Sequence, residues 1–160
     1  MTSAWTFPDP IGSRLITPIT EWVLSRLARM YGFTLMPPMP PRPQDLAARA
    51  DSVRRILRVA RAGRPPMAMA PEGMDSPDGR LMQPPAGAGR FIAHLAQAGY
   101  TLVPVGAFEE GDSFCLNFGK AFGLPDPASP NSDARDRETI KIVMRAIAAL
   151  LPERLRGIYT

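Results

Sequence analysis

Ala70-Pro71-Glu72-Gly73-Met74-Asp75-Ser76, followed about thirty residues later by Val103-Pro104-Val105, is the stretch on which the reading of this chain turns. The apolar run Pro66 to Ala70 predicts a buried strand that stops at a Pro-Glu-Gly turn. Thr101 to Phe108 predicts a second apolar strand, with a proline inside it. A carboxylate and a glycine at the end of a buried strand carry desolvation and conformational costs, so the pair marks a candidate site. The same residues also allow a plain structural role, with Glu72 capping the strand and Gly73 supplying a positive-φ turn.

Outward from this stretch the chain alternates helices and strands. Ser3 to Phe7 predicts a short strand ended by Pro8-Asp9-Pro10. Ile11 to Met30 predicts a helix on the recurrence of Leu15, Ile19, Trp22, Val23 and Leu27, kinked at Pro18. Phe33 to Met36 predicts a strand, and Pro37 to Pro43 a stiff loop. A second helix is expected from Gln44-Asp45 to about Ala62. Leu46, Ala50, Val53, Leu57 and Ala60 form its apolar face, and Arg49, Arg54, Arg55, Arg58 and Arg61 crowd the remainder. Such a face is either solvated or suited to an anionic lipid surface. Beyond the central motif come a helix over Arg90 to Ala98, a strand over Ser113 to Phe118 after the turn Glu109 to Asp112, and a final amphipathic helix over Ala134 to Leu151. The alternation implies an α/β fold, a mixed sheet flanked by helices, in a single domain over 1–160.

Composition narrows the classes. At 160 residues, 45% hydrophobic and 21% charged, the chain is an ordinary globular length and mixture. The net charge of +4 comes almost wholly from arginine and favours anionic partners. The N-terminus has neither a basic nor an apolar signal region, and no segment approaches the ~20 apolar residues needed to span a bilayer. A cytoplasmic protein follows, with peripheral contact at the inner face of the membrane allowed and no nucleic acid expected. Cys115 stands alone and His94 stands alone. A single cysteine excludes an internal disulfide framework and a Cys-cluster metal site, and with one histidine and one cysteine a Ser-His-Asp or Cys-His engine has little to work with. Cys115, between Phe114 and Leu116, reads as a buried, inert thiol. Gly87-Ala88-Gly89-Arg90 at a helix start offers backbone N–H groups to an anion, but it lacks the lysine of a P-loop and the third glycine of a dinucleotide fingerprint.

The ordered set resembles the glycerolipid acyltransferases, which acylate glycerol-3-phosphate or lysophosphatidic acid. That family shows a strand ending in Phe-Pro-Glu-Gly-Thr-Arg-Ser, a glycine-led helix, and a Val-Pro-Val strand. The matching positions are Pro71, Glu72, Gly73 and Ser76, then Gly89, then Val103-Pro104-Val105, over roughly Gly32 to Phe122. The resemblance implies acyl transfer from acyl-CoA or acyl carrier protein to a glycerol-phosphate or lysophospholipid-like acceptor. Glu72, Gly73 and Ser76 would shape the acceptor site, with Pro104 in its wall, and no metal or resident cofactor is implied. Two departures stand out. Asp75 occupies the place of the family's phosphate-binding arginine, with Met74 before it, and a carboxylate repels phosphate where a guanidinium would fork onto it. Arg80 or Arg42 would have to substitute. The family's His-x-x-x-x-Asp pair is also missing, since the fifth residue after His94 is Gly99.

Three readings stay open on the sequence. The chain is the central and C-terminal part of an acyltransferase-like protein lacking an N-terminal portion, an inactive relative that binds lipid or acyl chains, or an unrelated α/β phosphate-binding module using Gly87 to Arg90. No catalytic residue is assigned in any of them, because the proton-transfer pair is absent.

Overall fold

The computed structural model describes residues 22–23, 26, 46–63, 65–74, 76–125 and 131–160. Two compact units divide the chain, Met1–Arg58 and Val59–Thr160. The predicted strands Ser3 to Phe7 and Phe33 to Met36, the proline loop with Arg42, and Asp75 lie outside the described residues. Of the helix predicted over Ile11 to Met30, Trp22, Val23 and Arg26 are described and are helical, with the Arg26 guanidinium 5.8 Å from the Trp22 ring centroid.

The architecture is mixed α/β. Helices α1 (Leu46–Gly63), α2 (Ala88–Gln97) and α3 (Ser132–Ala148) accompany an antiparallel hairpin of β1 (Val105–Glu110) and β2 (Ser113–Phe118). Two 3-10 turns, Glu153–Leu155 and Gly157–Tyr159, follow α3. In α1 the arginines Arg54, Arg55, Arg58 and Arg61 are exposed while Ala60 is fully buried, as the helical period requires. In α2, Ile92 and Leu95 recur three apart and are buried, and in α3 Ile140, Val143, Met144 and Ala148 form the buried stripe. Ile92 joins Ile140, Val143 and Met144 as the core, with Leu81, Leu102, Phe122, Leu124 and Tyr159 packed around it. Met144 is wholly inaccessible, which places the core between α2 and α3 rather than on a sheet face.

Five expectations need correction. Pro66 to Ala70 is not a buried strand: it has no ladder partner among the described residues, and Met67 and Met69 are exposed. Pro65 and Pro66 have no N–H to donate, and apolar composition alone does not make a strand without a neighbour to pair with. The strand predicted over Thr101 to Phe108 starts later and ends later, at Val105–Glu110. Ahead of it Leu102 makes only an isolated bridge to Phe122, because Pro104 has no N–H with which to continue a ladder. The hairpin turn is accordingly tighter, since Glu110 pairs with Ser113 and leaves Gly111-Asp112 as the loop. Helix α3 begins two residues before Ala134, because the Asn131 side chain accepts from the N–H groups of Asp133 and Ala134, and it ends at Ala148, short of Leu151. Cys115 is half-buried rather than buried. Its neighbours Phe114 and Leu116 alternate onto the opposite, exposed face of the hairpin.

Candidate functional site

Gly73 makes the central turn possible. Its φ of 71° lies in the left-handed region, and its N–H closes the turn by donating to the Ala70 carbonyl at 3.2 Å. This geometry lets Glu72 turn inward. Half-buried, its Oε1 accepts a hydrogen bond from the Met82 backbone N–H, ten residues along the chain. Its other carboxylate oxygen has no hydrogen bond among the described residues. Burial pushes the Glu72 carboxyl above its ordinary range, and the Met82 N–H only partly opposes that shift. The phenol of Tyr159 is also held above its usual value, first by burial and then by the negative charge of Glu72. The 3-10 turns after α3 are tied to the same region through the Leu81 N–H, which donates to the Leu155 carbonyl at 2.9 Å.

These shifts carry a pH prediction. A carboxyl whose folded pKa is raised contributes stability that is fully present below its unfolded pKa and is lost as the pH rises through the folded value. Wild type should therefore lose stability relative to Glu72→Gln as the pH climbs from about 4 through the ordinary carboxylate range and just above it. Gln retains an oxygen for the Met82 N–H. Thermal melts at pH 4 and pH 7 read the difference, and a Glu72→Gln curve parallel to wild type across that window would show that burial does not burden this carboxylate.

The remaining candidates fall into separate groups. Ser76 donates its hydroxyl to Asp78 at 2.8 Å, and Asp78 also accepts the Arg80 N–H and faces the Arg80 guanidinium at 3.6 Å. The Ser76 hydroxyl and the Arg80 N–H, together with the guanidinium, hold the Asp78 carboxyl below its usual range. Arg80 is thus an exposed residue already facing a local carboxylate, not a free anion receptor, and ion pairs this exposed contribute little. No hydrogen bond or ion pair joins Glu72 to Ser76 or Arg80 among the described residues. Pro104 is buried, and its carbonyl accepts the Gly119 N–H at 2.9 Å.

The helix start at Gly87 to Arg90 is already occupied by the protein itself. Asp136, 7% exposed on α3, accepts from the Gly87 N–H and the Arg90 N–H, each at 2.8 Å. The anion expected at these N–H groups is this internal carboxylate, so an unrelated phosphate-binding loop there is ruled out by occupancy. Asp136 was not singled out in the sequence, although a signal existed: it lies four residues before Ile140, on the apolar stripe of α3. A carboxylate in a core stripe needs a partner, and the only free donors nearby on α2 are those of its first turn. Among the described residues no helix is long and apolar enough to cross a membrane, and no cluster of His, Cys, Asp and Glu is arranged to hold a metal.

A glycine turn presents a half-buried glutamate, and a glycine-led helix and then Val103-Pro104-Val105, leading into β1, follow it along the chain. The family model described as acyltransferase matches residues 14–107, more than half of the chain, and the chain belongs to the glycerolipid acyltransferase family. Glu72, Gly73, Ser76, Arg80 and Pro104 all fall inside the matched stretch, whereas Asp136 and α3 lie beyond it. No curated protein and no solved structure matches the chain significantly.

Proposed function

We propose that this acyltransferase-family domain binds a glycerol-phosphate or lysophospholipid-like acceptor at the Pro71-Glu72-Gly73 turn, and that the 160-residue chain does not complete acyl transfer. The observation behind the first part is Glu72. One carboxylate oxygen is fixed by the Met82 N–H, and the other is left to accept an acceptor hydroxyl. The observation behind the second is the single histidine. In the family reaction a histidine, oriented by an aspartate, takes the proton of the acceptor hydroxyl as it attacks the acyl thioester. His94 is exposed on α2 and has glycine, not aspartate, five residues on. Acyl-CoA or acyl carrier protein would be the donor, and the acceptor phosphate would have to draw Arg80 away from Asp78.

The test is a transfer assay on the purified chain with acyl-CoA and acyl carrier protein donors and glycerol 3-phosphate, beside calorimetry of glycerol 3-phosphate alone. The expected result is binding without turnover, with binding weakened roughly tenfold in Glu72→Ala by loss of one charge-assisted hydrogen bond. Turnover that is unchanged in His94→Ala would overturn the second part. Equal binding by wild type and Glu72→Ala would overturn the first.

Contact with an anionic membrane surface belongs to the same proposal, supported by the exposed face of Arg54, Arg55, Arg58 and Arg61. The chain is expected to co-sediment with anionic vesicles at low salt. Replacing these four arginines with Gln should abolish that binding, and binding that survives the replacement would remove the role of α1.

A further inference from the structure

A cleft of about 430 Å³ lies between α2, α3 and the segment Gly123 to Pro125. Its volume is in the range of small-molecule sites. The two helices start side by side, since the Asp136 carboxylate holds the first turn of α2 and the Arg90 guanidinium donates to the Ser132 hydroxyl at 3.3 Å. Arg90, His94 and Gln97 therefore descend one wall at helical spacing, while Arg135, Glu138 and Thr139 descend the other. Ala93 and Ala96, small where a leucine would close the gap, leave the space between them, and Leu124 and Ile142 supply apolar surface.

The polarity of the cleft is graded. Two guanidiniums stand at the end where both helices begin, and the positive ends of both helix dipoles lie at that end too. Asp136 offsets the dipole of α2, and the Asn131 side chain caps the first N–H groups of α3. The Arg90 guanidinium is engaged by the Ser132 hydroxyl at 3.3 Å and faces Asp133 at 4.0 Å, and the side chains of Arg90 and Asp133 are both exposed. Arg135, His94 and Glu138 have no side-chain hydrogen bond or ion pair among the described residues. The middle of the cleft carries an imidazole, a carboxylate and a hydroxyl, which suits a hydroxyl-bearing body and not a bare acyl chain.

We propose that this cleft binds a small organic phosphate, with the phosphate between Arg90 and Arg135 and the hydroxyl-bearing body against His94, Glu138 and Thr139. Guanidinium forks match phosphate oxygens, and a dianion displaces the weak exposed contact between Arg90 and Asp133. The site uses none of the residues of the Glu72 turn. It therefore stands or falls independently of the acceptor reading.

His94 is the sole histidine of the chain, so its imidazole proton resonances report on this cleft alone. The intact chain is titrated at fixed pH with ribose 5-phosphate, inorganic phosphate, ribose and decanoate. The expected result is a saturable shift of the His94 resonances with ribose 5-phosphate, weaker binding of inorganic phosphate, and none with ribose. Arg135→Gln, at an exposed position, should raise the dissociation constant for ribose 5-phosphate roughly tenfold by loss of a charge-assisted contact. No shift with ribose 5-phosphate overturns the proposal, and so does a shift indifferent to Arg135→Gln. Equal affinity for inorganic phosphate reduces the site to an anion contact, and preference for decanoate reassigns it to an apolar amphiphile, each contradicting the class proposed.

Discussion

Gly89→Ala is expected to be among the most damaging single-methyl changes available in this chain. Inside a helix the substitution ordinarily helps, since alanine is favoured over glycine by about 1 kcal/mol. Here the added Cβ would stand 2.2 Å from the Asp136 carbonyl oxygen, with the Asp136 carbonyl carbon and Oδ1 both at 3.0 Å. The obstructing atoms belong to the backbone of α3 in mid-helix, so no side-chain rotation relieves the contact. Helices α2 and α3 would have to separate, and the core of Ile92, Ile140, Val143 and Met144 lies between them. A loss of about 3 kcal/mol or more is expected, against the sign of helix propensity. Urea denaturation followed by circular dichroism measures it. A variant as stable as wild type would mean that the helices do not approach this closely.

The same contact explains what the sequence shows of this family and what it hides. Gly89 is legible as the glycine that leads the helix after the Pro-Glu-Gly turn. The reason for a glycine there is not legible, because it lies in a residue 47 positions away along the chain. Elements fixed by local rules were readable: α1, α2 and α3 by the 3.6-residue period, and β2 by its composition and the glycine turn before it. Elements fixed by distant partners were not. Pro66 to Ala70 has the composition of a strand but no ladder among the described residues, and Val105–Glu110 is displaced along the chain because Pro104 has no N–H to donate.

The candidate site divides in the same way. The inward glutamate and the positive-φ glycine follow from the Pro-Glu-Gly triplet itself. That Glu72 is held by Met82, and that its charge is felt at Tyr159, follows only from the folded chain, in which the turns after α3 return to Leu81. Arg80 shows the opposite case. Its proximity in sequence to the motif made it a phosphate ligand on paper, yet an aspartate two residues before it is its neighbour in space. Local charge pairing decided what motif spacing left undetermined.

Asp136→Ala is expected to destabilise the fold by about 2–5 kcal/mol, by a different route from Gly89→Ala. The carboxylate is nearly inaccessible, and its two oxygens satisfy one N–H each in the first turn of α2. Removing it leaves the Gly87 and Arg90 donors without acceptors in a partly buried position, at about 1–3 kcal/mol each. It also removes the negative charge that offsets the positive end of α2. Asp136→Asn separates these contributions, because its amide offers one oxygen to one donor and sets an NH2 group against the other. Its loss is expected to fall between wild type and Ala. Amide hydrogen exchange gives the local readout. The Gly87 and Arg90 protons should lose protection in Asp136→Ala by more than the global change in stability, while amides of α3 follow the global change alone. If all amides shift together, the carboxylate stabilises the packed core as a whole and is not the acceptor that fixes the start of α2. If Gly87 and Arg90 alone lose protection, the helix start of this acyltransferase domain is set from α3, outside the stretch that the family match covers.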